Sequence, residues 1–321
     1  MHYKPILIVS GEPNSIFFEI FFKTLKTNIF KSPLILIGSV KLLKLQMKEL
    51  HYNLNINQIS MNVLSNSKFN NRSINVIDVK YKCNKAFDKI SNKSKGYIEN
   101  CFKVAFKIIN QGTTDKLISG PISKKYFLNK KFLGLTEYMA KQFNTKKKAM
   151  LIYNKKLSVC PITTHLPLKN VVKEITKINI YEKTSLINNF YKKYFGYKPR
   201  IAILGLNPHC ESVDKFNEDE KIIKPAVKYL KKLKFNILGP FSADTIFLRE
   251  NRKKFDVIIG MYHDQVLSPI KTLFEYDAIN ITLGLPFLRV SPDHGPNEKM
   301  LGKNISNPIS LIKAITFLDK N

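Results

Sequence analysis

The sequence predicts an α/β protein built on a largely parallel sheet. Apolar runs of strand length alternate with longer amphipathic segments along the chain. Several of those runs empty at once into loops rich in His, Asp, Asn and Gly, as strands do when an open α/β sheet builds a site at its strand ends. No G-x-G-x-x-G follows the first run, which excludes a standard dinucleotide motif.

Residues 5–10 (PILIVS) read as a buried strand that meets Gly11-Glu12-Pro13-Asn14-Ser15. A helical pattern over 17–25 and a second apolar run over 33–38 complete a strand–helix–strand opening. Residues 52–73 are Asn-rich and weakly patterned, so an irregular segment is expected; 74–79 alternates like a strand. The clearest helix spans 96–111, with Tyr97, Cys101, Ala105 and Ile109 on one face, Ile98, Phe102 and Phe106 beside them, and Gly112 to stop it. Leu117-Ile118-Ser119 leads into Gly120-Pro121-Ile122-Ser123-Lys124, a strand, a tight turn and then another helix. Such a turn offers backbone N–H groups to a ligand, or is simply a turn. Residues 150–153 and 157–163 pair as a hairpin around Asn154-Lys155-Lys156. Helical patterns cover 169–195. Residues 200–205 form a strand ending in Leu206-Asn207-Pro208-His209. A helix over 218–233 runs from acidic to basic, matching the helix dipole, with Pro225 tolerated near its start or kinking it. Strands over 256–259 and 278–282 follow, and an amphipathic helix over 306–319 closes the chain behind Asn307-Pro308. There is no internal repeat.

At 321 residues the chain can bury a large core, and two lobes or domains are expected. No apolar run approaches the roughly 18 to 20 residues a bilayer demands, so no membrane partner is expected. The N-terminus lacks signal-peptide architecture, and the four scattered cysteines without a CxxC suit free thiols, so the expected compartment is the cytoplasm. The net charge of +29 invites a nucleic-acid reading. The lysines, however, spread along the whole chain among many Asn and Ile residues, as codons drawn toward A and T would produce. No basic tail, RNA-binding signature or zinc-finger spacing accompanies them, so no specific nucleic acid is expected as partner.

Three of the six histidines end short apolar runs: His165 in TTH, His209 in NPH and His263 in MYH. Singly each suits a core or surface histidine; together, imidazoles from separate strand ends suit one divalent ion. Asp244 and Asp264 are placed to orient those rings or to move protons. Lys271, Asn280 and Arg289 fall nine residues apart around the 278–282 strand and supply the fixed donors a phosphate clamp needs. The bland alternative is two surface cations and a strand asparagine.

At this point the motifs resemble those of the 4-hydroxythreonine-4-phosphate dehydrogenase family of vitamin B6 synthesis, over nearly the full length. Gly11-Glu12-Pro13, Ser119-Gly120-Pro121-Ile122-Ser123-Lys124, Gly134-Leu135-Thr136-Glu137, Thr164-His165-Leu166-Pro167-Leu168, Gly205-Leu206-Asn207-Pro208-His209 and Gly239-Pro240 through Ala243-Asp244-Thr245 follow in the family's order. Met261-Tyr262-His263-Asp264-Gln265 and Thr282-Leu283-Gly284-Leu285-Pro286 with Arg289 are the most specific. The resemblance implies a two-lobed, three-layer α/β/α fold like that of isocitrate and isopropylmalate dehydrogenases. It implies one lobe from residues 1–128 with 280–321, carrying the cofactor loop, and a central lobe over 129–279 with the metal ligands and a homodimer interface. It implies a divalent ion (Zn, Mg or Co) on His165, His209 and His263, with a ligand shared across subunits. Position 135 and residues Thr136, Lys271, Asn280 and Arg289 would meet the phosphorylated substrate, and Asp293-His294-Gly295 the cofactor, NAD or NADP. Asp244, Asp264 and Lys124 are candidates for the general base. The implied reaction oxidises 4-phosphooxy-L-threonine, a β-hydroxy acid, and releases CO2 to give 3-amino-2-oxopropyl phosphate.

The chain departs from the family at three places. Leu135 stands where the family has a substrate-binding histidine, a loss of about 1.5–3 kcal/mol if the hydrogen bond to a charged group is not replaced. The opening loop reads Asn14-Ser15-Ile16 without the later glycines, and Pro296-Asn297 follow the cofactor turn where small residues are usual. A dehydrogenase of a related 4-phosphorylated sugar acid, and a decayed basic binding protein, therefore stay open beside the main reading.

Overall fold

Runs of four or five Ile, Leu and Val residues are too short to stand as helices, and buried on both faces they become strands. A computed structural model describes residues 3–27, 29–64, 69–129 and 131–320. Its strands in chain order are β1 (Ile6–Val9), β2 (Leu34–Gly38), β3 (Ile56–Gln58), β4 (Ile74–Asp78), β5 (Lys116–Ser119) and β6 (Ala149–Tyr153). Then come β7 (Ser158–Pro161), β8 (Ile201–Leu204), β9 (Ile237–Phe241), β10 (Val257–Gly260), β11 (Ile279–Leu283) and β12 (Leu288–Pro292). The chain divides into two units, residues 1–135 with 286–321 and residues 136–285.

In the unit built from both chain ends, the strands run β3-β4-β2-β1-β5-β12, and every pair is parallel. Leu7 stands opposite Leu117, and Arg289 opposite the same residue from the other side. The Phe17–Thr27 helix buries Phe17, Phe18, Ile20, Phe21 and Phe22. Phe17 stacks on Phe21 and Phe18 on Phe22, the four-residue spacing that places side chains one turn apart. The Lys95–Asn110 helix buries Tyr97, Ile98, Cys101, Phe102 and Ala105 as expected, with Ile108 rather than Ile109 completing the face. Gly112 follows in the left-handed conformation and donates to the carbonyl of Ile109, so the helix ends there.

In the central unit the order is β11-β6-β7-β10-β8-β9. Only β6 runs antiparallel to its neighbours, β11 and β7. The expected hairpin joins β6 to β7, and Asn154 shapes it by accepting from the Lys156 N–H at 2.8 Å. Leu157, Val159, Ala202, Leu204, Ile258 and Val266 belong to one buried cluster beneath the sheet.

Several expectations need correction. The 52–73 stretch contains β3 and a 3₁₀ turn at Met61–Val63; residues 65–68 lie outside the described residues. A half-exposed strand of three residues on a sheet edge carries too little pattern to be legible. The final strand is β12, not the 278–282 run, and β9 contains Gly239-Pro240. Helices at Val40–Glu49 and His263–Phe274 were not expected; Pro269 interrupts the second one's pattern. The 169–195 helical region is two helices, Leu168–Glu174 and Lys177–Phe195, parted where Thr176 caps the latter by accepting from the Asn179 N–H. The 218–233 helix opens as a π-helical turn, Asp219–Ile223, and only then becomes α-helical at Lys224–Lys232. Pro225 thus sits in the first turn of the α-helix, where its missing N–H costs least. The helix expected directly after the turn that follows β5 is a single π-helical turn, Lys124–Leu128, and an α-helix comes only at Leu135–Gln142. All four cysteines are free thiols, and no helix among the described residues is long and apolar enough to cross a membrane.

Candidate active site

Strand order decides which loops meet. In the central unit β7, β10, β8 and β9 are successive parallel neighbours, so their carboxyl ends lie side by side. His165 follows β7, His263 and Asp264 follow β10, His209 follows β8 and Asp244 follows β9. Residues separated by a hundred positions in sequence are thereby brought to one edge. The link from β7 to β10 continues past the strands: Ile162 and Thr163 donate backbone N–H groups to the carbonyls of Gly260 and Met261, and the Thr163 hydroxyl donates to Met261 at 2.8 Å. The His165 and His263 rings consequently lie 5.5 Å apart between centroids. His263 opens its helix, and its Nδ1 lies 2.6 Å from the Asp264 carboxylate. That contact engages one ring nitrogen and leaves the other, Nε2, as the atom with which the ring could ligate.

His209 occupies an unusual backbone. Its φ is 55° and that of Cys210 is 61°, so two consecutive side-chain-bearing residues adopt the left-handed conformation. Each costs about 1–2 kcal/mol, which the surroundings must offset. The imidazole is exposed, whereas Cys210 is buried and burial raises its thiol pKa. Two imidazoles at the His165–His263 separation, one of them backed by a carboxylate, fit a borderline divalent ion as a pair of ligands. Among the described residues, no group of three or more His, Cys, Asp or Glu side chains is close enough to hold a metal ion. Among the described residues, then, His209 does not join His165 and His263 in one such group. Asp244 is exposed in the first turn of the short helix Ala243–Ile246.

The proposed substrate residues divide between the units. In the central unit, Thr136 is buried in the first turn of the Leu135–Gln142 helix, its hydroxyl 3.3 Å from that of Thr282. Asn280 lies on β11, and its Oδ1 is buried with no hydrogen-bond partner among the described residues. A buried acceptor of that kind costs about 1–3 kcal/mol and suits a site where a ligand donates to it. Lys271 lies in the last turn of the His263–Phe274 helix. In the other unit, Arg289 is not a loop cation as its sequence context suggested. It lies on β12, only 3% exposed, and donates from Nε at 3.0 Å and Nη2 at 2.6 Å to the hydroxyl of Ser119 at the end of β5. Leu135 is half-buried and Lys124 exposed.

Neighbouring β1, β5 and β12 bring three further loops to one edge of that unit: residues 11–15, 120–124 and 293–295. The first two are sewn together, Gly120 N–H to the Val9 carbonyl and Glu12 N–H to the Pro121 carbonyl, each at 2.8 Å. A Cβ on Gly120 would overlap the Ser10 carbonyl, and one on Gly11, whose φ is +75°, would overlap that of Pro121. Asp293 is anchored through its N–H to Ser310 Oγ at 2.8 Å, and His294 Nδ1 lies 2.9 Å from the Gly295 carbonyl. Gly295 is exposed, with open space where a Cβ would stand, so this loop brings a carboxylate, an imidazole and an uncrowded backbone turn to the strand ends, groups that suit the hydroxyls and base of a nucleotide.

The sequence assigned no role to Ser119, Glu12, Asp219 or Gln265, all of which hold these loops. Asp219 reads there as a helix-start acid, and the others lie inside motifs whose sequence does not show what their side chains brace.

The comparisons with known proteins bear on this site as a whole. Residues 30–318 match the family model described as pyridoxal phosphate biosynthetic protein PdxA. A 4-hydroxythreonine-4-phosphate dehydrogenase from Sulfurihydrogenibium sp. is 41% identical over 97% of this chain and 96% of its own length. A D-threonate 4-phosphate dehydrogenase from Salmonella typhimurium is 30% identical over 92% of each chain. The crystal structure of 4-hydroxythreonine-4-phosphate dehydrogenase from Klebsiella pneumoniae superposes with a TM-score of 0.83 at 27% identity, over 98% of each chain. The fold is thus the mixed α/β architecture of the isocitrate and isopropylmalate dehydrogenase type, and the chain belongs to the PdxA family.

Proposed function

We propose that this oxidoreductase converts 4-phosphooxy-L-threonine to 3-amino-2-oxopropyl phosphate and CO2 in pyridoxine 5'-phosphate biosynthesis, as a cytoplasmic homodimer with its active site at the subunit interface. The observation that carries this reading is the full-length match to the Sulfurihydrogenibium protein of that name. The convergence of His165, His209, His263, Asp264 and Asp244 on four adjacent strand ends supports it.

In this reading His165, His209 and His263 would hold the divalent ion (Zn, Mg or Co), with a ligand contributed across the dimer. Asp264, in contact with Nδ1, would orient the His263 ring and leave Nε2 as its ligating nitrogen. NAD (or NADP), when bound, would supply the hydride acceptor, and the divalent ion would supply Lewis acidity for the oxidation of the substrate hydroxyl. Asp293, His294 and Gly295 hold the cofactor. Arg289, Lys271, Asn280 and Thr136 hold the substrate through groups remote from the reacting carbon, so binding energy there fixes its orientation. The hydroxyl proton passes to a base, for which Asp244, Asp264 and Lys124 are the candidates. The carboxylate then leaves as CO2, the electron pair of the broken C–C bond passes into the enolate of the new ketone, and a proton returned to that carbon gives 3-amino-2-oxopropyl phosphate.

The relative that acts on D-threonate 4-phosphate favours a second reading, since Leu135 stands where the family's histidine would contact the substrate. Absorbance of NADH decides between them. Purified protein supplied with a divalent ion should reduce NAD with 4-phosphooxy-L-threonine and stop when a chelator is added. Turnover only with D-threonate 4-phosphate would establish the second reading, and no NADH from either would sink both.

A further inference from the structure

The ends of β8 and β10 are held by two side chains outside the proposed ligand set. Gln265 accepts from the Met261 N–H at 2.6 Å through Oε1 and donates from Nε2 to the Gly205 carbonyl at 2.8 Å. One carboxamide therefore bridges the backbone just ahead of His263 to the backbone just ahead of His209. Asp219 is 0% exposed, and its carboxylate accepts from Leu206 N at 2.8 Å, Asn207 N at 3.1 Å and Asn207 Nδ2 at 2.9 Å. A buried carboxylate is tolerated when N–H donors converge on it like this, and here they all belong to the loop that carries His209. The packing is tight: a Cβ on Gly205 would lie 2.6 Å from Asp219 Oδ1 and from Cys210 Sγ. The same loop contains the left-handed pair His209 and Cys210, a conformation that persists only where its surroundings fix it.

We propose that Asp219 and Gln265 are positioning residues, Asp219 fixing the His209 loop and Gln265 tying that loop to the start of the His263 helix, so that each imidazole leaves its strand end in a fixed direction. This rests on the metal reading above. Neither residue touches the ion or substrate; each acts by removing freedom that the histidines would otherwise lose on binding.

The full-length protein, Asp219→Asn, Gln265→Met and Gln265→Glu, with His209→Ala as a control, should be compared by three measurements. Co²⁺ affinity is read by competition with a chromophoric chelator, the Co²⁺ site by its visible spectrum, and the metal-free loops by amide hydrogen exchange. Asp219→Asn and Gln265→Met should weaken Co²⁺ binding by about 10- to 100-fold and shift the visible bands while the thermal midpoint reports a folded protein. Exchange should quicken at Leu206 and Asn207 in the first and at Met261 in the second. Gln265→Glu keeps an acceptor for Met261 and loses the donor to Gly205, so it should fall between Gln265→Met and wild type. Wild-type affinity, spectrum and exchange in folded variants would overturn the proposal even if His209→Ala abolishes binding. Should Asp219→Asn fail to fold, the two Gln265 variants still decide. A wild-type protein that binds no Co²⁺ would overturn the metal reading, and this inference with it.

Discussion

Arg289 shows how much one residue's role depends on where the strand places it. A buried guanidinium must be hydrogen-bonded, and Ser119 supplies one oxygen to two of its nitrogens. That geometry holds the guanidinium plane in one orientation before any phosphate arrives. Ser119→Ala removes the oxygen and leaves the charge. With the freedom of a released long side chain worth about 0.5–1.5 kcal/mol on binding, KM for the phosphorylated substrate should rise by about 2- to 13-fold. The turnover number should change far less, because Arg289 would serve ground and transition states alike. Ser119→Thr retains the hydroxyl and should retain KM. Unchanged KM in Ser119→Ala would detach Arg289 from substrate binding. The sequence offered Arg289 as a candidate cation, but its partner lies 170 residues away on a strand whose adjacency to β12 no local pattern encodes.

At the level of elements, strands were legible where apolar residues run unbroken, as in β1, β2, β5, β8 and β10. They were not where polar or turn residues interrupt: β9 carries Gly239-Pro240, and β12 carries Arg289 and Ser291. The three strand-end histidines were legible for the same reason, since each abrupt change from apolar to polar marks a strand end. What braces them was not, because it depends on the order β7-β10-β8, which the chain does not visit consecutively. The turn after β1 is a comparable case. Glu12 is 1% exposed and joins that turn to the Lys95–Asn110 helix by accepting from Ser94 Oγ at 2.8 Å and, at 3.3 Å, from Asn14 N. Burial pushes its carboxyl above the ordinary range, the two hydrogen bonds oppose that rise, and the charge of Glu298 adds to it. The folded state thus holds this proton more tightly than the unfolded chain. Its contribution to stability is greatest below the unfolded value, about pH 4, and declines as pH climbs through the raised folded value. Glu12→Gln keeps an acceptor for Ser94 and removes the charge. Urea midpoints measured from acid to neutral pH should show the variant gaining on wild type as pH rises. A gap independent of pH would mean that Glu12 is not the group being titrated.

For the whole molecule, charge is the property that the fold does not explain. Lys and Arg number 53 against 24 Asp and Glu, and the resulting +29 belongs to a family member whose proposed partners are small molecules. Several surface ion pairs, such as Lys4–Asp115 and Lys147–Glu182, are exposed and contribute about 0–1 kcal/mol each, so they neutralise little of the field. A surface of that sign attracts any polyanion through counterion release, without reading its sequence. The protein should therefore bind duplex DNA at low ionic strength, with log K falling linearly as log salt rises. Screening with a Debye length of about 8 Å at physiological ionic strength should remove most of that binding. Two duplexes of unrelated sequence should give the same affinity and the same slope in a fluorescence-anisotropy titration. If the proposed function holds, the phosphorylated substrate, met at short range by the buried Arg289, should lose much less affinity over the same salt series. Sequence preference that survives at physiological salt would instead make nucleic acid a selected partner and the dehydrogenase family's fold its carrier.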